Sequence, residues 1–299
     1  MDAVVSSDTQ TVRSVQTKQL GNGSTDSSQW VLPSGMPLAR RGLCMLAQPC
    51  LRKPQNASRF RFFEATILLV WSGKLTIDNG SQIASLEASS RLMAVAQHVC
   101  ADIQKTPGGA DLTFRSLFLA FSPEVLLEFY KRHEPGDAAC SPVTYCRELN
   151  LDDDLAETLN YCMHGMDAAR VSERALMHRL IGLLIALADR GILFSRPAKQ
   201  SVGDLLRSVL IDSPGEHWTT AKAGRALAMS EATLRRRLAA ENLRFDALLL
   251  EVRMHHAMTL LQTTSRSIPQ VAEDCGYQAT SRFSVRFRER FGCSPSHVR

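Results

Sequence analysis

The C-terminal segment 267–299 constrains the fold of this chain more than any other stretch. Ser267-Ile268-Pro269 has the form of a helix start, because serine can cap the first turn and proline loses no backbone hydrogen bond there. Gly276 can end this helix in the left-handed conformation. A second helix is predicted next, and its apolar face recurs every four residues at Phe283, Phe287 and Phe291. Two short helices joined by a glycine turn predict a helix-turn-helix unit.

The same pattern occurs roughly fifty residues earlier. A first helix is predicted over about 220–228, followed by a turn at Met229 and a second helix over 231–240 that Ser230 caps. Between the two units, residues 245–261 predict one uninterrupted helix, about 26 Å long at 1.5 Å per residue. Such a helix can hold two recognition helices about one DNA turn (~34 Å) apart, so that both enter successive major-groove faces.

Together these patterns resemble the DNA-binding domain of the AraC/XylS family of bacterial transcription regulators, over about 99 residues. Asn242 stands where the family often has glycine, and asparagine also adopts the left-handed conformation. Arg282 and Val298 replace frequent aromatic residues, and Val285 replaces a polar base-reading one. The matching positions include Trp218, Ala226, Ser230, Leu234, Arg237, Arg253, Ala257, Leu260, Leu261, Ile268, Ala272, Gly276, Tyr277, Ser281, Phe283, Phe287, Phe291, Gly292, Ser294, Pro295 and Arg299.

Helix geometry assigns the side chains that face DNA. Arg236 points about 200° away from the apolar stripe of the first recognition helix. In the second recognition helix, which Thr280 or Ser281 is expected to cap, Arg290 falls near the buried stripe and is not assigned to DNA. The predicted DNA-binding residues are Ala232, Thr233, Arg235, Arg236, Arg237, Gln278, Thr280, Ser281, Arg282, Val285 and Arg288.

The charge distribution agrees with binding to DNA. The net charge of +5 is concentrated at the C-terminal end. Residues 201–299 hold 14 Lys/Arg against 10 Asp/Glu, whereas residues 1–200 hold 21 against 20. Because this excess is modest, attraction to phosphates alone is weak, and tight binding needs defined geometry or a second subunit.

Several other classes of function are not supported by the sequence. It has no GxSxG, P-loop or GxGxxG motif, so we expect no enzyme, no catalytic residues and no cofactor. The histidines lack partners at ligand spacing, and Asp152–Asp154 begin a helix, where carboxylates oppose the dipole; no metal site is predicted. The eight cysteines form no CxxC pair and are expected to be thiols. Without a signal peptide or an apolar stretch of membrane-spanning length, the protein is predicted to be cytoplasmic and not membrane-bound.

The chain before residue 201 predicts a regulatory domain. Residues 1–29 have the composition of a disordered tail. Residues 30–195 form the predicted regulatory domain, 196–200 a linker, and 201–299 the DNA-binding domain. A β-hairpin over 65–78 and a strand over 112–121 are followed by helices, whereas 83–100 is ambiguous between strand and helix. The predicted class is α+β, with a β-barrel or jelly-roll domain that carries added helices; the family resemblance implies that this domain is cupin-like.

A leucine stripe runs along the predicted helix over 172–190. It fits packing inside the domain, the seam of a homodimer, or both at once, and these alternatives remain open from sequence alone. Its residues, assigned to dimerisation under the second alternative, are Leu176, Leu180, Leu183 and Leu187.

The signal that controls the protein is less well defined by the sequence. The family resemblance implies that the N-terminal domain senses a small-molecule effector, and the interior near Phe62, Phe63, Trp71 and Leu75 is the candidate, although most of these residues are expected to be core. The ligand-binding residues are therefore unknown. The alternative is a regulator controlled by a protein partner, a chaperone or co-regulator, on the N-terminal domain. Promoter DNA and RNA polymerase are the other expected partners of a transcription activator.

Overall fold

A computed structural model describes residues 35–133, 141–197 and 201–298. The predicted tail over 1–29 and residues 198–200 of the predicted linker lie outside these ranges. The described chain is mixed α+β: its N-terminal part is rich in strands and its C-terminal part is helical. The predicted fold class is confirmed.

Antiparallel strands form two sheets in the N-terminal part. One sheet has the order β1-β2-β10-β5-β8-β11, with β3 beside β10, and the other has the order β4-β9-β6-β7. The ambiguous region 83–100 contains β7 and β8; β8 is covered on both faces, which removes the alternation that would mark it as a strand. The strands are β1 (Leu38–Arg40), β2 (Cys44–Ala47), β3 (Cys50–Leu51), β4 (Gln55–Arg61), β5 (Ala65–Ser72), β6 (Lys74–Asp78), β7 (Ile83–Glu87), β8 (Arg91–Val95), β9 (Cys100–Thr106), β10 (Phe114–Phe121) and β11 (Cys146–Asn150).

Three helices accompany the sheets, and each begins at a side-chain cap. They are α1 (Pro123–Arg132), α2 (Asp153–His164) and α3 (Glu173–Ala188). Ser122, Asp152 and Ser172 accept hydrogen bonds from the backbone N–H groups of Val125, Leu155 and Ala175. Asp152 also pairs with Arg190 at 2.8 Å, so the acidic run at this helix start has a structural role.

The leucine stripe of α3 lies inside the chain. Leu176, Leu180, Leu183 and Leu187 are each 0% exposed in the single chain, because α3 packs against α1 and α2. A side chain that is already enclosed by its own domain cannot also form a seam with a second copy. The assignment of these four leucines to dimerisation is therefore wrong, and the intramolecular alternative describes them.

The C-terminal part consists of helices at nearly the predicted positions. They are α4 (Val202–Ile211), α5 (Thr220–Ala226), α6 (Glu231–Ala240), α7 (Phe245–Thr263), α8 (Ile268–Asp274) and α9 (Thr280–Phe291), followed by a 3₁₀ turn at Pro295–His297. α7 has 19 residues and is about 28 Å long. Among the described residues, none of the helices is long and apolar enough to cross a membrane.

The two helix-turn-helix units differ in what they pack against. The first has its own core, in which Leu206, Leu234 and Leu238 contact the beginning of α7. The core of the second, with Phe283 and Phe287, is continuous with the apolar interior of the strand-rich N-terminal part, which we call the β-domain. The second unit is therefore fixed to the N-terminal domain, whereas the first is attached mainly through α4 and α7.

Candidate nucleic-acid interface and interdomain cavity

The first helix-turn-helix unit consists of α5 and α6. Ser230 caps α6 by accepting from the Thr233 N–H at 3.1 Å, and Leu234 and Leu238 bury one face. The opposite face is exposed. Arg235 forms an ion pair with Glu231 at 2.6 Å, whereas the exposed Arg236 has no side-chain partner among the described residues. The residues predicted to contact DNA are exposed on this face except for the half-buried Thr233: Ala232, Arg235, Arg236 and Arg237.

The second unit consists of α8 and α9. Ser267 caps α8 in a capping box with Gln270, as the sequence predicts for a serine start. The predicted hydroxyl cap of α9 is wrong: Ala279 is the N-cap, and no side chain accepts a hydrogen bond there. Phe283, Phe287 and Phe291 are buried, and Thr280 is half-buried. The other predicted contact residues are exposed: Gln278, Ser281, Arg282, Val285 and Arg288.

Left-handed residues make the turns of both units. Gly276, after α8, has φ +76°, and the corresponding residue after α5, Ala228, has φ +54°. Asn242 has φ +55°, a left-handed conformation that asparagine adopts more readily than most other residues with a side chain. The first turn therefore carries strain that the second avoids, because alanine in this conformation costs about 1–2 kcal/mol.

We expect Ala228→Gly to raise the free energy of unfolding by about 0.5–1 kcal/mol, since relief of strain exceeds the entropy that glycine adds to the unfolded chain. The reverse change, Gly276→Ala, should lower it by about 1–3 kcal/mol. Its Cβ would lie 2.5 Å from Arg253 Nη2 and 2.7 Å from the Gly215 carbonyl oxygen. Urea unfolding of both variants measures these changes. Equal effects of the two substitutions would contradict this account of the turns.

A polar seam fastens β4 to the end of α9; we define the seam as Arg59, Arg61, Glu251 and Arg290. Arg290 Nη1 donates to the Arg59 carbonyl oxygen at 2.6 Å, and Arg59 Nη2 donates to the Glu289 carbonyl oxygen at 3.1 Å. The Glu251 carboxylate lies 3.4 Å from Arg61 Nε and 3.5 Å from Arg290 Nη2. Arg290 therefore belongs to the domain contact, in agreement with its predicted position beside the buried stripe.

The backbone of β4 is bent to make this contact. Arg59 has φ +52°, an uncommon conformation for a residue with a side chain, and the register between β4 and β9 shifts between Ala57 and Phe60. The bulge is held by Asp102, whose carboxylate accepts from the Arg59 N–H at 2.7 Å. It turns the Arg59 carbonyl toward Arg290. The β-domain thus carries a local distortion at the point where it meets the second recognition helix.

A cavity of about 540 Å³ lies between the β-domain and the helices α4 and α7. Phe62, Phe63 and Leu75 of the predicted sensing region line it, whereas Trp71 does not. Its walls are therefore shared by both domains, instead of belonging only to the β-domain interior. A mostly apolar cavity of this size with a few polar groups is typical of a small-molecule site.

One polar chain crosses the cavity wall. Lys105 Nζ donates to Gln262 Oε1 at 2.8 Å, and Gln262 Nε2 donates to Gln55 Oε1 at 2.6 Å. Burial lowers the pKa of Lys105 to about 7. This ammonium has no carboxylate partner among the described residues. In its protonated form, Lys105 is thus a cationic donor beside an apolar space.

Two further titratable groups line the same cavity. Burial, with a smaller contribution from Glu124, raises the pKa of Glu64 to about 7. Burial also lowers the pKa of His255 well below its usual value, and the nearby Arg290, Arg61 and Arg207 act in the same direction. The His255 ring lies against Phe60 and Phe63, with ring centroids 4.7 and 4.8 Å apart. At neutral pH, His255 is therefore an uncharged part of the aromatic wall.

These cavity residues were not identified from sequence, although one signal was present. Along β9 the inward positions alternate through Ala101 and Ile103 to Lys105, which places a lysine where an apolar residue is expected. Gln262 likewise interrupts the apolar end of α7. Both are polar side chains on core-facing positions, where burial is costly unless the polar group is hydrogen-bonded.

The pKa of Lys105 predicts a dependence of stability on pH. Its folded-state pKa, about 7, is below the unfolded value of 10.5, so the unfolded chain binds more protons between these values. The Lys105 contribution therefore makes the free energy of unfolding rise as the pH increases from about 7 to 10.5. Comparing wild type with Lys105→Met by urea unfolding across this range isolates it. The advantage of the variant should be largest near pH 7 and shrink with rising pH; a constant difference would contradict the prediction.

The comparisons with known proteins agree with this geometry. Residues 224–299 match the family model described as a helix-turn-helix domain. YdeO of Escherichia coli K12 is 34% identical over 114 residues, which cover 38% of this chain and 42% of YdeO. SirC of Salmonella typhi is 25% identical over 239 residues, covering 75% of this chain and 81% of SirC. The chain is thus similar to transcription regulators, and its residues 224–299 match a helix-turn-helix domain. The virulence regulon transcriptional activator VirF of Shigella flexneri is 31% identical over 122 residues, 40% of this chain and 47% of VirF.

The similarity of fold to a solved structure extends to the N-terminal domain. The crystal structure of ToxT from Vibrio cholerae O395 has a TM-score of 0.53 and 14% sequence identity, covering 85% of this chain and 95% of that one. At this identity the similarity concerns the fold alone. The chain spans less than half the length of YdeO and of VirF in these matches, and the family model covers residues 224–299.

Proposed function

We propose that the protein is a sequence-specific transcription regulator that binds promoter DNA through α6 and α9. The observation that carries this proposal is the pair of helix-turn-helix units, each with one buried apolar face and one exposed face that carries arginines. The helix α7 connects them, and its length of about 28 Å suits recognition helices that enter neighbouring turns of the major groove. Because bacterial promoter DNA is in the cytoplasm, we also propose a cytoplasmic localisation.

Selection of double-stranded DNA from a random-sequence library tests this proposal directly. The full chain is the correct reagent, because the core of the second unit is continuous with the β-domain. We expect enrichment of a site with two separate recognised segments, and binding that weakens as salt rises, since phosphate contacts release counterions. Recovery of random sequence after several rounds would refute sequence-specific binding.

RNA polymerase is the proposed partner of the DNA-bound protein. VirF is named an activator, and activation at a promoter requires contact with the transcription machinery. A reconstituted transcription assay on a selected site, with and without the protein, tests this part separately. Increased transcript supports activation, whereas decreased transcript would make the protein a repressor at that site.

The interdomain cavity is proposed to bind an effector with an apolar body and one acidic group. Phe62, Phe63 and Leu75 supply apolar surface, and Lys105 supplies a cationic donor at the cavity wall. ToxT in complex with an unsaturated fatty acid has a TM-score of 0.54 to this chain at 15% identity. That ligand has both required parts, so an unsaturated fatty acid is the proposed chemical class.

A melting experiment with oleic acid, below its micelle concentration, tests the effector proposal. A ligand at 100 times its Kd stabilises the folded state by about 2.7 kcal/mol, so the melting temperature of wild type should rise clearly. Lys105→Met should lose most of the rise. Lys74→Met is the matched control, because Lys74 lies in the same sheet but is exposed and ion-paired with Glu87.

The alternative regulator, a protein partner on the N-terminal domain, is an outcome of the same experiment. Equal melting shifts in both lysine variants would show that the fatty acid does not use the cavity cation. A different result would support control by a protein partner. In that case oleic acid causes no melting shift, and a protein that co-purifies with the full chain contacts residues 35–197 and changes DNA binding.

A further inference from the structure

The two helix-turn-helix units touch each other away from α7. We define this contact as the junction: Pro214–Glu216 from the loop before α5, Asp274–Gly276 from the turn after α8, and Arg253 from α7. A Cβ atom on Gly215 would lie 2.4 Å from the Asp274 carbonyl oxygen, and one on Gly276 would lie 2.7 Å from the Gly215 carbonyl oxygen. No side chain fits at either position, so the two backbones are in direct contact.

Arg253 joins the three parts of the junction. Its Nε donates to the Pro214 carbonyl oxygen at 3.0 Å, and its Nη2 donates to the Glu216 carbonyl oxygen at 2.9 Å. Its guanidinium carbon lies 5.7 Å from the centroid of the Tyr277 ring, which belongs to the turn of the second unit. One side chain in the middle of α7 therefore holds the loop of the first unit and lies against the turn of the second.

A helix alone fixes the distance between two units better than their relative orientation. The junction adds a second connection away from the axis of α7, and two separate connections fix both quantities. This matters on DNA, because moving one half-site by a base pair shifts it by about 3.4 Å and rotates it by about 34° around the duplex. A rigid pair of units therefore accepts one spacing between half-sites and rejects its neighbours.

We infer that Arg253 is a positioning residue that determines the half-site spacing the protein selects. Under the proposed function, exposed residues of α6 and α9 contact the bases, whereas Arg253 acts on specificity only through the geometry of the junction. This inference rests on the proposed DNA-binding function. It adds a specificity that no base-contacting residue supplies: discrimination between sites with identical half-sites but different separations.

The test uses the full chain and the sites obtained by selection from random double-stranded DNA. In the selected site, one or two base pairs are inserted or removed between the half-sites, and the Kd for each spacing is measured for wild type and Arg253→Met. Insertion or removal of one base pair should weaken the affinity of wild type for the site about tenfold or more, as expected when one unit loses its base contacts. Arg253→Met should bind the best site more weakly than wild type does. The same insertion should weaken the affinity of this variant by less than about threefold.

Two further variants separate positioning from stability. Val252→Ala shortens a neighbouring buried side chain of α7 that is 2% exposed and outside the junction, so it should lower the melting temperature but keep the sharp spacing preference. Gly215→Ala forces the two backbones apart while Arg253 is retained, so it should broaden the preference as Arg253→Met does. Circular dichroism shows whether Arg253→Met folds. If it does not, Gly215→Ala provides the test. Arg253→Lys, which keeps charge and part of the donor capacity, should recover some of the sharpness.

The outcomes distinguish this inference from the function on which it rests. If wild type selects no sequence, the proposed DNA-binding function itself fails. If wild type selects half-sites but tolerates several spacings, or if both Arg253→Met and Gly215→Ala keep the wild-type spacing profile, the function stands and the role of Arg253 is overturned.

Discussion

Replacement of both Leu180 and Leu187 by lysine is expected to unfold the N-terminal domain instead of giving folded monomers. Both leucines are 0% exposed in the single chain. Truncation of one buried leucine already costs about 2–5 kcal/mol, and burial of an ammonium costs more. Because domains are stable by only about 5–15 kcal/mol, the double substitution removes most or all of this stability. Loss of the cooperative melt in circular dichroism is the measurement.

His178→Lys is the matched control for this experiment. His178 lies on the same helix but is exposed, so a lysine there should leave the melting temperature nearly unchanged. The structural account would be contradicted if wild type sediments as a dimer and the double-leucine variant is folded and sediments as a monomer. The leucine stripe would then lie in a dimer interface.

Arg236→Ala is expected to cost about 1–3 kcal/mol in binding and to relax the preference at one or two base pairs. Arg236 is exposed opposite the buried face of α6, and its guanidinium suits a bidentate contact with guanine. Arg235→Ala is the control on the same helix; Arg235 already pairs with Glu231, so its loss should matter less for specificity. Selection from random DNA with each variant measures the preference.

Arg288→Ala should act differently, because the second recognition helix offers only Ser281 and the apolar Val285 beside its arginines. Val285 is 57% exposed and suits a thymine methyl group or no discrimination. Arg288→Ala should therefore weaken binding to all DNA sequences alike. It should also reduce the slope of log affinity against log salt concentration by about one. If Arg288→Ala changes the sequence preference while Arg236→Ala retains it, the two helices have exchanged roles.

Local chemistry made most of the helical domain predictable. The hydroxyl caps Ser201, Ser230 and Ser267 each accept from the backbone three residues later, and the helices begin where these residues stand. The α9 start was the exception. Thr280, expected as a cap, is instead the first helical residue, and Ala279, which has no side-chain acceptor, occupies the N-cap position.

Long-range placement was not predictable in the same way. The leucine pattern of α3 is equally suited to a partner helix inside or outside the chain, and only the positions of α1 and α2 decide between them. The cavity depends on residues far apart in sequence, since Gln55 and Gln262 are 207 positions apart. Periodicity describes one element at a time, so it cannot indicate which two core-facing polar residues will meet.

The seam between β4 and α9 limits how freely the two domains of this protein can be exchanged for others. Arg290 of the second recognition helix ends on a carbonyl of a bulged strand, and Glu251 of α7 shares its carboxylate with Arg61. A chimera that joins this N-terminal domain to the C-terminal domain of a different protein would leave Arg59 and Arg61 facing foreign side chains. A functional exchange of domains therefore requires residues 59, 61, 251 and 290 to be replaced together, because each of them is needed to rebuild the contact.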